Sequence, residues 1–213
     1  MIHKPFSKHE PSDPLLNAGW EAEKQLAFYL EREYGAAKDV FVFNDLRFAD
    51  VSGGFTQIDH LILYRHGIAI IESKSVSGEL KVDRLGQWRR KWRSRSGRGG
   101  DDNIPDPLAQ AERQAASLRR VLDSAEPPLL NKIVGLLQKY FGDFPIMPFV
   151  AISDNGRFSG DTRPYAEKVM KADQITGQIN DQIASHRRHS GVKSLIFSKP
   201  EELTIFNLAD DEL

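Results

Sequence analysis

Two rhythms of apolar residues divide the chain into elements. Over residues 17–34, Trp20, Glu23, Ala27, Leu30 and Tyr34 recur at helical spacing on one stripe. They predict a first helix with a single acid, Glu23, turned towards the body of the protein. Residues 40–46 (VFVFNDL) read as a strand and Gly53-Gly54 as a turn. Residues 58–64 and 68–71 are β-rich apolar segments around a tight turn at Arg65-His66-Gly67, with Gly67 expected to supply a positive φ. Residues 78–82 extend the sheet. Asp106-Pro107 is a helix start, an N-cap followed by proline in the first turn. Leu108, Ala111, Ala115, Leu118 and Leu122 mark the buried stripe of that helix, which ends near Ser124, and Gln110 lies beside its N-terminal end. Pro127-Pro128 breaks the chain. Then follow a helical piece over 130–140, a short buried strand over 148–153, turns over 154–162, a helix over 173–186 and a final strand over 194–197.

The hairpin is the part the rest is built around, because strands this apolar belong in the centre of a sheet covered on both sides. Three polar residues interrupt it: Asp59, Glu72 and Lys74. With Arg65 and His66 as the loop, Tyr64 faces Gly67 and Asp59 comes opposite Glu72. With His66 and Gly67 as the loop, Asp59 faces Lys74 and Glu72 is diagonal. Both registers put all three side chains on one face, since side chains alternate with period two. Directly opposed Cβ atoms lie roughly 5 Å apart, where like charges destabilise. Two carboxylates beside one ammonium, among Leu61, Leu63, Ile68 and Ile70, call for a cation or raised carboxyl pKa values. A divalent metal with oxygen ligands resolves this most simply; an ion pair of Lys74 with one carboxylate at the end of the sheet is the plainer alternative.

Composition narrows the setting. The chain of 213 residues is 40% hydrophobic, enough for one sizeable core, so residues 15–213 are expected as a single domain. Residues 1–14, with three prolines, read as an N-terminal arm. With 29 basic and 30 acidic residues the net charge is −1, so affinity for nucleic acid has to come from a local patch. The absence of cysteine removes disulfides and thiolate metal sites and fits a reducing compartment. No apolar run approaches a membrane span and the N-terminus has no apolar h-region, so a cytoplasmic, membrane-free protein is expected. One local patch does stand out. Arg84, Arg89, Arg90, Lys91, Arg93, Arg95 and Arg98 run without an intervening acid, with Trp88 and Trp92 between them. Guanidinium groups bind phosphates and indole faces stack on bases, so the segment 84–103 is a candidate nucleic-acid contact, as a hairpin or a loop. Trp88 is expected to be structural, and the stretch 97–103 (GRGGDDN) a mobile loop.

The order of these pieces resembles a known family. A helix with an inward acid, a hairpin carrying IDH and then IESK, a Trp-bearing Gly-rich segment and a helix opening DPLAQ resemble the nuclease-related domain (NERD), a branch of the PD-(D/E)XK nuclease superfamily. Gly19-Trp20-Glu21-Ala22-Glu23 is similar to the GxxGE motif, with Ala22 for a glycine; Gln57-Ile58-Asp59-His60 to the aspartate motif; Glu72-Ser73-Lys74 to ExK. Asp106-Pro107-Leu108-Ala109-Gln110 is similar to NPLxQ, with aspartate for asparagine. The similarity covers roughly residues 18–153.

That resemblance implies an α/β, restriction-endonuclease-like (PD-(D/E)XK) core with a mixed central β-sheet flanked by helices. It implies a Mg2+-dependent phosphodiesterase, with Mn2+ able to substitute, that cleaves DNA in processing or repair. Asp59 and Glu72 would hold the metal, with the Ser73 backbone carbonyl as a third ligand. Lys74 would orient or help deprotonate the attacking water and offset transition-state charge. Glu23, through a second metal or a metal-bound water, and Gln110, positioning water or phosphate, complete the set. A homo-oligomer enclosing the substrate and a helicase or other DNA-processing partner are compatible with it. Two alternatives remain at this point: a nucleic-acid-binding module that kept the fold without cleavage, and a protein-interaction domain whose acidic pair is an ordinary ion pair.

Overall fold

A computed structural model describes residues 1–6, 10–93, 97, 99–124, 132–133, 136–137 and 144–189. The first strand, β1 (Ile2–Lys4), lies within the expected N-terminal arm and pairs in parallel with β2 (Val40–Ala49). Between them runs α1 (Pro14–Tyr34). Asp13 starts it, accepting the Leu16 N–H at 3.0 Å while Pro14 fills the first turn. β2 then pairs antiparallel with β3 (Phe55–Tyr64), and β3 with β4 (Gly67–Lys74). The turn between β2 and β3 is tied to the next helix: Asp50 accepts from Ser52, Ser117 and Arg120.

Of the two registers the sequence allowed, the structure has the first: Tyr64 pairs with Gly67 and His60 with Ile71. Gly67 does not take a positive φ, and among the described residues Asp45 is the only non-glycine that does. Glycine is needed there for space instead. A Cβ would come within 2.6 Å of the Tyr64 hydroxyl and 3.2 Å of the Pro145 carbonyl.

After β4 the chain leaves the main sheet for β5 (Glu79–Val82), β6 (Trp88–Arg93) and β7 (Gly99–Ile104), which are successively antiparallel. The expected mobile loop at 97–103 is thus largely strand. Its acids pair with the basic strand beside it, and Gly100 leaves room for the Trp92 indole, which a Cβ would approach to 2.9 Å. Next comes α2 (Pro107–Ser124), started as its sequence predicts: Asp106 Oδ1 accepts the Leu108 and Ala109 N–H groups at 2.8 and 3.0 Å. The helix expected over 130–140 is not found among the described residues there. Lys132–Ile133 (β8) and Leu136–Leu137 (β9) form a small antiparallel ladder. β-branched Ile133 disfavours a helix and suits a strand. Pro127-Pro128 and the strand expected over 194–197 lie outside the described residues.

β10 (Ile146–Ile152) returns to the main sheet parallel to β4, β11 (Arg157–Gly160) adds to β5, and β12 (Val169–Lys171) adds to β10. A 3-10 turn over Ala172–Gln174 leads into α3 (Ile175–His189). The main sheet is therefore six-stranded and mixed, in the order β1-β2-β3-β4-β10-β12, with a second sheet β11-β5-β6-β7 beside it. On one face, Leu26, Leu30 and Tyr34 of α1 and Ile175, Ile179 and Ile183 of α3 pack on Val42, Ile62, Ala69 and Ile71. On the other, Leu118 of α2 packs on Leu61, Ile68 and Ile70. The second sheet joins through Leu80, Val82 and Trp88, packed with Leu108, Val150 and Ile152. As the apolar pattern required, β3 and β4 are central and covered on both faces.

Candidate active site

β4 supplies the two residues that anchor the site. Ile68, Ala69, Ile70 and Ile71 are buried, and Glu72, at 3% exposure, continues that burial with a carboxyl group. Its position is at the carboxyl end of the parallel β4–β10 pair, where open α/β sheets leave room for ligands. Glu72 lies on the face covered by α2. Its Oε1 accepts from Lys74 Nζ at 2.5 Å and Gln110 Nε2 at 2.7 Å, and its Oε2 from Gln114 Nε2 at 2.8 Å. Lys74 Nζ also donates to Gln110 Oε1 at 3.0 Å. Two glutamines one helical turn apart on α2 thus close over one carboxylate.

Continuing the hairpin register by one position sets Asp59 across from Glu72. The Ser73 N–H donates to Asp59 Oδ2 at 2.8 Å, tying the aspartate to the neighbouring strand. Burial, then the charges of Glu72 and Glu23, push the Asp59 carboxyl well above its ordinary range; the Ser73 N–H and Lys74 pull the other way. Glu23, half-buried on α1, is pushed up to about 7, first by burial and then by Asp45 and Glu72, against Arg47 and Lys74. Glu72, Lys74 and Gln110 are joined by hydrogen bonds, Asp59 is held beside them by the Ser73 N–H, and Glu23 on α1 is near enough for its charge to act on Asp59. His60 alternates away from them. It is buried with Nδ1 2.7 Å from Asn44 Oδ1, and burial lowers its imidazole to about 3, so it stays neutral.

Gln114 and Asp45 were not singled out from the sequence. Gln114 left a signal, because it falls on the buried stripe of α2 between Ala111 and Leu118. Asp45 left none: its nearness to Glu23 follows from the irregular backbone of β2, where its φ is 50°.

The basic segment divides between the two faces of β6. Arg89 pairs with Asp101 at 3.2 Å and Lys91 with Glu79 at 3.4 Å, so the acids of β7 and β5 offset much of its charge. Arg90 is half-buried, and its Nε has no hydrogen-bond partner among the described residues. Arg84 is exposed in the turn before β6. Arg93 ends β6 opposite Gly99, while its side chain and the whole of Arg95 lie outside the described residues. Trp88 is buried, with its ring centroid 5.5 Å from that of Phe158 in a stacked pair. Trp92 Nε1 donates to Asp102 Oδ2 at 2.7 Å.

The donor chemistry suits a hard cation. Glu23, Asp59 and Glu72 share one nearby ammonium, and two of the three carboxyl groups are raised, so bound positive charge would relieve the site. Among the described residues no group of three or more His, Cys, Asp or Glu is close enough to hold a metal ion. Oxygen-only donors from two carboxylates match a cation that keeps most of its waters.

A mixed sheet with helices on both faces, carrying Glu72 and Lys74 at the end of central strand β4 and Asp59 on the strand beside it, is a nuclease-like α/β arrangement. The chain belongs to the nuclease-related domain (NERD) family, whose sequence model matches residues 18–153. No curated protein and no solved structure matches it significantly. Among the described residues no helix is long and apolar enough to cross a membrane.

Proposed function

We propose that the chain is a divalent-metal-dependent nuclease that hydrolyses phosphodiester bonds in DNA, in processing or repair. The observation that carries this reading is the nearness of Asp59 to the hydrogen-bonded Glu72, Lys74 and Gln110 at the carboxyl end of β4, with the Asp59 carboxyl raised by burial, Glu72 and Glu23, and the Glu23 carboxyl raised by burial, Asp45 and Glu72. Asp59, Glu72 and the Ser73 backbone carbonyl would hold Mg2+, or Mn2+ in its place. The bound ion supplies a lowered pKa for its water and neutralises phosphate charge. Lys74, freed from Glu72, orients the attacking water and offsets the negative charge that develops on the phosphate. Gln110 reaches both Lys74 and Glu72 and keeps the two in register. Glu23 holds a water or a second cation from the α1 side. Arg84, Arg89, Arg90, Lys91, Arg93 and Arg95 contact the nucleic-acid backbone. The shared packing of Val82 and Trp88 with Leu108 and Ile152 supports the second sheet working as one domain with the main sheet.

A second reading has an observation of its own. Both Glu72 oxygens are engaged by protein donors, one of them the Lys74 ammonium, which suits a nucleic-acid-binding module without cleavage. Labelled single- and double-stranded DNA incubated with Mg2+, Mn2+ or EDTA separates the two. Metal-dependent cutting that Asp59→Ala, Glu72→Ala and Lys74→Ala each abolish is the expected result. Binding without cutting, unaltered in Lys74→Ala, would replace the nuclease with the binding module.

A further inference from the structure

We propose that Gln114 is a positioning residue that fixes Glu72 from behind, so that its solvent-ward oxygen Oε1 is the one offered to a metal ion. This rests on the nuclease reading. The two oxygens of Glu72 have unlike surroundings. Oε1 faces Lys74 and Gln110, and the Lys74 side chain keeps 28% of its surface exposed against 5% for Glu72, so this oxygen is the one turned towards the more open neighbour. Among the described residues Oε2 accepts from Gln114 Nε2 alone, at 2.8 Å, and Gln114 is 8% exposed. A carboxyl group at the end of a glutamate side chain turns easily about its last bond, with a broad preference that does not select either oxygen. The Gln114 amide removes that freedom.

The chemistry of the holding group matters as much as its place. A lysine or arginine behind Glu72 would hold it equally well but would cancel the charge that a cation needs. An amide donates a hydrogen bond and leaves the carboxylate its full negative charge. Gln114 does so at a cost, since its Oε1 is buried with no hydrogen-bond partner among the described residues. An unbranched apolar side chain of the same length would fill the space on α2 without that orphaned acceptor. Keeping a glutamine there is accounted for by its bond to Glu72. Residues one shell out that orient a ligand typically change metal affinity ten- to a hundredfold when replaced.

The test is Mn2+ binding by the full chain, followed through loss of the free-ion EPR signal, beside thermal melting in EDTA. Gln114→Met removes the donor at constant length, and Gln114→Lys keeps a donor but adds a charge. Both are expected to melt cooperatively and to bind Mn2+ ten- to a hundredfold more weakly than the unaltered chain. A purely structural role would move the melting temperature and leave the affinity of the folded protein alone. Either variant folding and binding Mn2+ within twofold of the unaltered chain overturns the proposal, and so does the loss of a cooperative melt in both. If the unaltered chain binds no Mn2+, the nuclease reading falls and this inference with it; tight binding by the unaltered chain and by Gln114→Met alike removes only the role of Gln114.

Discussion

Glu23→Gln should stabilise the metal-free protein at alkaline pH, and the size of the effect follows from where Glu23 sits. Its carboxyl is raised from 4.5 to about 7 by burial beside Asp45 and Glu72. The folded chain therefore holds a proton between those two values that the unfolded chain has released. Stability from this group is fully present below the unfolded value and is lost as pH rises through the folded one. The full displacement corresponds to about 3.4 kcal/mol. Glu23 keeps part of its surface in water, and discounting for that screening leaves about 1.5 kcal/mol. Glutamine has nothing to ionise, so at pH 8 in EDTA the variant should be the more stable by that amount, about 3–6 °C in melting temperature for a chain of this size. At pH 4 the two should melt together. Urea titrations at pH 4, 6 and 8 with EDTA present measure the difference directly. Identical stability profiles across that range, or a variant less stable at pH 8, would refute the electrostatic account of this site.

Three other perturbations probe other parts of the structure. Lys74→Met removes the ammonium that occupies Glu72 Oε1, so Mn2+ affinity read by EPR should rise, by about tenfold for about 1.4 kcal/mol of relieved competition, while cleavage is lost. Trp88→Ala takes out a buried indole stacked on Phe158 and edge-on to Tyr165, and should cost about 3–5 kcal/mol in urea unfolding. Among the basic residues, Arg90→Ala should flatten the salt dependence of DNA binding by about one unit of log–log slope, and Arg89→Ala or Lys91→Ala by less, since Asp101 and Glu79 already face those two. Equal slopes for all three variants would show that the internal ion pairs do not matter to binding.

The elements that the sequence made legible are those whose neighbours are local. The α1 stripe, the Asp106-Pro107 start of α2 and the hairpin depend on residues within a turn or a few positions of one another, and the hairpin parity alone put Asp59, Glu72 and Lys74 on one face. What it concealed depends on contacts made across the fold. The polar stretch Gly99–Ile104 becomes a strand because Arg89 and Trp92 of β6 supply partners for Asp101 and Asp102. Gly67 is required by the Tyr64 ring and the Pro145 carbonyl, an approach created by the parallel pairing of β10 some 80 positions along. Gln114 reads as one polar residue on an apolar stripe until α2 is laid against β4.

On the proposed nuclease reading, the protons of this site and a bound metal would be alternatives. The Lys74 ammonium is bonded to Glu72, and burial with the neighbouring carboxylates holds protons on Glu23 and Asp59 above their ordinary range. A divalent cation would balance the carboxylates in another way, and to do so it would have to displace those protons and draw Lys74 off Glu72. Metal affinity should accordingly climb as pH rises through about 7, where Glu23 gives up its proton, and level off beyond it. The lysine released in such an exchange would be the group free to meet a phosphate. Gln110 and Gln114 stay in contact with Glu72 throughout, because neither carries a charge that the incoming cation would repel.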